Sequence, residues 1–203
     1  RVDYNNNSIK LGGINDYALD IINSDMIYIT ACGTSWHAAL IGSYILENLL
    51  DIPVKVEYAS EFRYRKTAIT ANSTVIVISQ SGETADTVAA MQEIRNQGGR
   101  LITICNVEGS QSTRLADATM YMRCGVEIGV ASTKTFISSL TILSILSAYL
   151  GQERGSLTSK DIREFVDSLA SIPRLLGDML SEVAQYRVLA RKYHEYKDFL
   201  FLG

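Results

Sequence analysis

Short apolar runs rich in β-branched residues alternate with segments of helical period along the first 122 residues of this chain. The apolar runs predict strands at residues 26–30, 54–58, 74–78, 100–105 and 119–122. Helices are predicted at 14–23, 36–50 and 85–97, with short helical segments near 59–64 and 112–116. Strands that alternate with helices over short loops are typical of a parallel sheet covered by helices on both faces.

We therefore predict an α/β fold, a three-layer αβα sandwich with a five-stranded parallel sheet, followed by C-terminal helices. Right-handed crossovers restrict the topology, and for five strands they favour the flavodoxin-like order 2-1-3-4-5. In that order the switch point falls between the first and third strands. Ligands of open α/β sheets bind beyond the carboxyl ends of the strands at such a point.

The loop after the third strand is the hexapeptide Ser79-Gln80-Ser81-Gly82-Glu83-Thr84. It offers hydroxyl donors from Ser79, Ser81 and Thr84 and an amide donor from Gln80, and Gly82 lets the backbone approach a ligand. The unpaired amides and the dipole of the helix that follows favour an anion such as phosphate. The alternative is a polar turn in which a hydroxyl only caps the helix.

Two further loops extend this prediction. Residues 32–35, Cys-Gly-Thr-Ser, follow the first strand, and the switch-point geometry places them in one pocket with residues 79–84. Residues 124–134 lead into the apolar run at 135–150, where Ser132 or Thr133 is suited to be an N-cap. This third loop is either a connection to a buried helix or a third wall of the site.

Composition excludes several classes of function. A net charge of −3 and a sequence pI near 5.4 argue against a nucleic-acid or anionic-membrane surface. The apolar run at 135–150 is shorter than the ~20 residues that span a bilayer, so we predict a buried helix. The three cysteines have no metal-ligand spacing, which predicts free thiols, no metal and a reducing, cytoplasmic location.

The domain organisation predicted from these patterns has three parts. Residues 1–13 are polar and serve as a linker or extension, and 14–155 form the ligand-binding domain. Residues 156–203 form a helical connector, with Pro173 starting a new helix, and a final strand at 199–203 that either leads toward a second domain or adds to the first sheet. Because the chain starts with Arg1 and stops after that strand, we expect it to be a piece of a longer protein.

The three loops, with the sequences Cys-Gly-Thr-Ser at 32–35, Ser-Gln-Ser-Gly-Glu-Thr at 79–84 and Glu-Ile-Gly-Val-Ala-Ser-Thr-Lys at 127–134, closely resemble the sugar-isomerase (SIS) domain of the glutamine–fructose-6-phosphate aminotransferase family. The first two motifs are shared by SIS domains generally, and the third is more particular to this family. The resemblance covers residues 26–203 and implies the N-terminal SIS half of the isomerase part, which binds fructose 6-phosphate or glucosamine 6-phosphate. By motif position, the phosphate contacts are Ser79, Gln80, Ser81 and Thr84, and the sugar contacts are Cys32, Gly33, Thr34, Val130 and Ser132.

The resemblance also implies a role in amino-sugar biosynthesis, a homodimer, a glutaminase domain and a second SIS half, with no cofactor. The catalytic residues of that family lie beyond the end of this chain, so none is predicted here. His37, His194 and Lys134 are assigned to structure or surface, Cys32 to packing, and Glu83 to facing outward or supporting the helix start. The alternative is an SIS-domain sensor or regulator, which lacks a basic helix-turn-helix segment here. A dinucleotide-binding domain is disfavoured because no GxGxxG follows the first strand.

Overall fold

Five parallel strands form the central sheet of the computed structural model, which describes residues 2–3, 5–129 and 132–200. A short antiparallel pair, β1 (Val2–Asp3) and β2 (Ser8–Ile9), precedes it. The sheet strands are β3 (Met26–Ala31), β4 (Val54–Tyr58), β5 (Ser73–Ser79), β6 (Arg100–Cys105) and β7 (Ala118–Tyr121). Their order is β4-β3-β5-β6-β7, which confirms the predicted order 2-1-3-4-5 with its switch point between β3 and β5.

Helices cover both faces of the sheet, which confirms the predicted three-layer sandwich. The helices of the described residues are α1 (Ala18–Ile22), α2 (Thr34–Leu50), α3 (Ala59–Tyr64), α4 (Ala85–Asn96), α5 (Gln111–Leu115), α6 (Lys134–Arg154), α7 (Ser159–Ser181) and α8 (Val183–Tyr193). A 3₁₀ turn at Asn15–Tyr17 leads into α1. Helices α1, α2 and α6 pack together in one layer, and α3, α4 and α5 form the other.

The core lies on both faces of β5, whose seven residues are all buried. Val75 and Val77 pack with Phe62 of α3 and Met91 of α4 on one face. The neighbouring positions along the strand, such as Ile76, point to the opposite face because side chains alternate along a strand. A strand buried on both faces is the reason this sequence reads as a continuous apolar run.

Helix α6 is the buried apolar helix predicted at residues 135–150, although it extends from Lys134 to Arg154. Among the described helices it is the one long and apolar enough to cross a membrane, but half of its most apolar window is buried. Leu143, Leu146 and Leu150 have no exposed surface. A Cβ on Gly42 of α2 would come within 2.7 Å of Leu143 Cδ1, so this glycine allows α2 and α6 to approach closely.

Three local predictions differ from the structure or lie beyond it. Pro173 does not start a new helix but lies inside α7, and the break between α7 and α8 comes at Glu182. The polar N-terminal segment is attached to the domain, because the Ile9 amide donates to Gln152 Oε1 at 2.8 Å. Phe199 and Leu200 are not in a strand, and residues 201–203 lie outside the described residues, so the predicted final strand stays a prediction.

The chain forms two compact units, Arg1–Arg163 and Glu164–Gly203. The first contains the whole sheet and every cavity-lining residue described below. Within the second, the Tyr193 ring lies 6.0 Å from that of Tyr196 and 6.5 Å from that of Phe199, centroid to centroid. The predicted domain boundaries themselves stay predictions.

Candidate functional site

A cavity of about 360 Å³ opens at the carboxyl ends of β3 and β5, at the switch point of the sheet. This volume falls within the ~300–1,000 Å³ of typical small-molecule sites. The described residues that line it are Cys32, Gly33, Thr34, Ser35, Ile78, Ser79, Gln80, Ser81, Thr84, Thr87, Glu127, Gly129, Ser132 and Thr135. All predicted site residues that the structure describes are therefore brought together, and Val130 lies outside the described residues.

The loop at residues 79–84 is held in shape by its own serines. The Gly82 amide donates to Ser79 Oγ at 3.0 Å, and the Glu83 amide donates to Ser81 Oγ at 3.2 Å. A hydroxyl that accepts an amide hydrogen keeps its own hydrogen to donate. Both serines can therefore serve a ligand while they shape the loop.

Thr84 distinguishes the two readings of this loop that the sequence leaves open. It occupies the N-cap position of α4, yet within the described part of the chain its side chain makes no capping hydrogen bond. Its hydroxyl instead lines the cavity, as does Thr87 in the first turn of the helix. The first-turn amides of α4 have no intrahelical acceptors, and the positive end of the helix dipole lies there. An anion in the cavity would accept hydrogen bonds from these amides and would be stabilised by the helix dipole.

Glu83 faces away from the cavity and supports the loop from behind. Its Oε1 accepts a hydrogen bond of 2.8 Å from the Gln111 amide, at the start of α5. The Ser112 amide donates to the Gly82 carbonyl at 3.0 Å. A carboxylate in the loop thus stabilises a helix start without repelling an anion, as the sequence predicted for this residue.

The first loop turns the chain sharply from β3 into α2. Gly33 has φ +58° and ψ −134°, a conformation open almost only to glycine, and α2 begins at the next residue, Thr34. Cys32 also lines the cavity, with its Sγ 4.0 Å from Thr87 Oγ1. A second helix N-terminus is thereby brought to the cavity, which increases the positive potential there.

The third loop is organised around Glu127, a half-buried carboxylate that lines the cavity. Its Oε2 accepts hydrogen bonds from the amide and hydroxyl of Thr135 at 3.0 and 2.6 Å. The Thr133 amide donates to the same oxygen at 3.4 Å, and Ser132 Oγ lies 3.4 Å from it. Ser132 Oγ also hydrogen-bonds with Thr135 Oγ1 and accepts the Phe136 amide at 3.1 Å.

These donors keep Glu127 ionised. The hydrogen bonds from the Thr135 side chain and amide, with smaller contributions from Thr133, lower the pKa of Glu127 to about 2. The carboxylate also sits at the start of α6, where a negative charge complements the helix dipole. It is therefore a fixed negative charge in the cavity wall at any pH near neutral.

The other titratable candidates lie outside this lining. His37 is exposed and forms an edge contact with Trp36, whose ring stacks on Tyr58 at 4.2 Å. His194 is exposed in the second unit, where its Nδ1 lies 2.9 Å from the Arg191 carbonyl. Lys134 is exposed at the first position of α6. These placements agree with the structural or surface roles predicted for all three.

Sequence reasoning missed several residues of the lining, chiefly Glu127, Thr135 and Thr87. Thr87 could have been found, because it lies three residues after Thr84 and so one helical turn away. Glu127 precedes a Ser-Thr pair and a helix start, which is where an acidic acceptor for helix amides is expected. Its reach over eight residues to Thr135 depends on the course of the loop.

The doubly wound sheet with a hydroxyl-rich cleft at its switch point defines a class of α/β ligand-binding domain, and the SIS domain family matches residues 20–148, well over half of the chain. The chain belongs to that family. Among its relatives is the glutamine–fructose-6-phosphate aminotransferase (isomerizing) of Clostridium tetani, 44% identical over 195 residues, which are 96% of this chain and 32% of the relative. The enzyme of the same name from Bacteroides thetaiotaomicron is 40% identical over 203 residues, 100% of this chain and 33% of the relative.

A solved structure supports the same relationship. The C-terminal domain of glucosamine-fructose-6-phosphate aminotransferase from Francisella tularensis matches with a TM-score of 0.87 and 32% sequence identity. The match covers 94% of this chain and 54% of that one. The chain thus spans about a third of the length of the curated relatives it matches and about half of this solved domain.

Proposed function

We propose that this chain is the N-terminal SIS half of the isomerase domain of a glutamine–fructose-6-phosphate aminotransferase, and that its cavity binds fructose 6-phosphate or glucosamine 6-phosphate. The observation that supports this most directly is the loop at residues 79–84, whose serine hydroxyls line a cavity at two helix N-termini. Such a site offers many donors to an anion and no cationic side chain within the described lining. It suits phosphate, which backbone amides and hydroxyls bind well.

The division of the cavity supports a phosphate at one end and a sugar at the other. Ser79, Gln80, Ser81 and Thr84 form the donor-rich end. Thr34 and Ser132 lie on the two remaining loops and present hydroxyls to a polyol. The assignment to the N-terminal half rests on the resemblance of residues 127–134 to the aminotransferase family.

The same proposal includes a cytoplasmic homodimer, a glutaminase domain and a second SIS half in the full-length protein, which would act in amino-sugar biosynthesis. Relatives named as aminotransferases are about three times as long as this chain, which leaves room for both domains. Ring opening and proton transfer require a tuned general base and a nucleophile. We place those groups in the parts of the protein beyond this chain.

Thermal unfolding with ligand tests the proposal. Fructose 6-phosphate should raise the Tm of the chain, because a ligand that binds only the folded state stabilises it by ~2.7 kcal/mol at a hundred times its Kd. Fructose at the same concentration should not, since it lacks the phosphate. Equal shifts with both sugars would contradict the phosphate assignment.

A matched pair of variants locates the site. Ser81→Asp places a negative charge in the loop and should weaken fructose 6-phosphate binding by at least about tenfold, which is ~1.4 kcal/mol. Ser159→Asp makes the same change at the exposed start of α7, outside the described lining, and should leave binding unchanged. Isothermal titration of both variants measures the difference. Unchanged binding by Ser81→Asp would show that the phosphate lies elsewhere.

A further inference from the structure

The carboxylate of Glu127 accepts hydrogen bonds from Thr133 and Thr135, at the start of α6. Amide and hydroxyl donors of Thr135 reach its Oε2 at 3.0 and 2.6 Å, and the Thr133 hydroxyl reaches its Oε1 at 3.3 Å. The Ser132 hydroxyl lies 3.4 Å from Oε2 and bonds also with the Thr135 hydroxyl. Few side chains in the described structure collect so many donors from one short segment.

This network determines where Ser132 lies. The Ser132 hydroxyl lines the cavity, and its partners are Glu127, Thr135 and the Phe136 amide. Without an acceptor at position 127, the Thr135 hydroxyl and amide would lose their shared partner, and Ser132 would lose the arrangement that fixes its rotamer. Hydrogen bonds to a charged group are stronger than those between neutral groups, so several of them together can hold Ser132 in one conformation.

We propose that Glu127 is a positioning residue for sugar recognition, which fixes Ser132 on the sugar-facing side of the cavity while residues 79–84 hold the phosphate. This inference rests on the proposed function, because it assumes that the cavity takes a sugar phosphate. Glu127 affects the affinity for the sugar phosphate indirectly, through the position of Ser132.

A carboxylate at a helix start can also be an ordinary cap, and the chain contains one for comparison. Asp161 Oδ2 accepts hydrogen bonds from the Thr158 amide and hydroxyl at 2.8 and 2.6 Å, at the start of α7. Its chemistry matches that of Glu127 with Thr135, but Asp161 is outside the described cavity lining. If capping were the whole role of Glu127, the two carboxylates would be equivalent for ligand binding.

The experiment measures the affinity of four chains for fructose 6-phosphate and for inorganic phosphate by isothermal titration, at neutral pH. The chains are the wild type, Glu127→Gln, Thr133→Val and Asp161→Asn. Glutamine keeps the size of the side chain but replaces one acceptor oxygen with a donor. Thr133→Val removes the donor to Glu127 Oε1 at an exposed residue outside the described lining, so it weakens the contacts of Glu127 without changing the lining itself.

We expect Glu127→Gln to weaken fructose 6-phosphate binding at least about fivefold and to leave phosphate binding within about twofold of wild type. Thr133→Val should shift the two affinities in the same pattern by a smaller factor, which keeps the test valid if Glu127→Gln fails to fold. Asp161→Asn should change neither.

Several results would overturn the proposal. Equal losses for both ligands, no loss for either, or the same loss in Asp161→Asn would show that Glu127 has no specific part in sugar recognition. If the wild type binds fructose 6-phosphate but not inorganic phosphate, residues 79–84 do not form a separate phosphate site, and the proposal is refuted. A wild type that binds neither ligand would remove the proposed function itself, and with it this inference, before any variant is considered.

Discussion

Gly82 combines a backbone conformation and a packing environment that a larger residue cannot share. Its φ is +68°, and a Cβ built there would overlap Ser110 Oγ and lie 2.5 Å from Ser112 Oγ. Gly82→Ala should therefore destabilise the fold by the ~1 kcal/mol typical of a left-handed alanine plus a steric term, roughly 2–4 kcal/mol together. Urea denaturation measures the free energy of unfolding, and fructose 6-phosphate affinity should fall with it because the loop must shift.

Gly109→Ala is the matched control for that substitution. Gly109 has φ +71°, close to that of Gly82, but a Cβ there meets nothing within 4 Å. It should show the backbone term alone, ~1 kcal/mol, with ligand affinity unchanged. If both alanines destabilise the fold equally, the close approach of Ser110 and Ser112 to the loop at residues 79–84 does not contribute to stability.

Glu127 predicts a pH dependence of stability with a definite sign. Its pKa is about 2 in the folded protein against an ordinary value of 4.5, because Thr135 and Thr133 donate to the ionised form. The stabilisation it provides is fully present above about pH 4.5 and is lost as the pH falls toward 2. The difference in unfolding free energy between the wild type and Glu127→Gln should be constant at pH 5–7 and shrink below pH 4.5. A difference independent of pH down to 3 would contradict the assignment.

How far a residue's role can be predicted depends on the distance of its partner. The hydroxyls of Ser79 and Ser81 accept hydrogen bonds within their own loop, and the sequence was enough to predict that both residues line the cavity. Glu83 bonds to the Gln111 amide, 28 residues away, so the sequence predicted that it would support a helix start but not that the helix would be α5. Glu127 has a local cue, because it precedes a Ser-Thr pair and a helix start, but the sequence does not show that it reaches Thr135, eight residues further on.

At the scale of elements, the contact between α2 and α6 is the most extensive helix pairing among the described residues, and it is testable. Leu143 is fully buried and lies against Gly42, so Leu143→Ala should leave a cavity and destabilise the fold by about 2–5 kcal/mol. Ile137, on the same helix, is 39% exposed, and Ile137→Ala should have a markedly smaller effect. Thermal and urea unfolding compare the two variants. Equal losses would mean that α6 is not anchored through Leu143.

Strands and helices were predicted correctly where the hydrophobic periodicity of the segments agreed with the topology rules for parallel sheets. The order of the sheet follows from alternation and right-handed crossovers, and each strand of the central sheet was predicted to within one residue at either end, whereas the short strands β1 and β2 were not predicted. The prediction from Pro173 was wrong because α7 continues through it from Ser159 to Ser181, which one missing amide does not prevent. The hydrogen bond from the Ile9 amide to Gln152 joins residues that are 143 positions apart, so no local sequence pattern predicts it.

At the scale of the molecule, the chain should bind its ligand without transforming it. Glu127 is the carboxylate in the described cavity lining, and a group with a pKa of about 2 is a weak base at neutral pH. The described lining contains no histidine or lysine. In D₂O, the chain with fructose 6-phosphate should show the binding seen by titration but no deuterium exchange at C1 by NMR above that of Ser81→Asp. Deuterium exchange that Ser81→Asp abolishes would show that this chain already contains a proton-transfer group. The proposal that the catalytic groups lie beyond this chain would then be wrong.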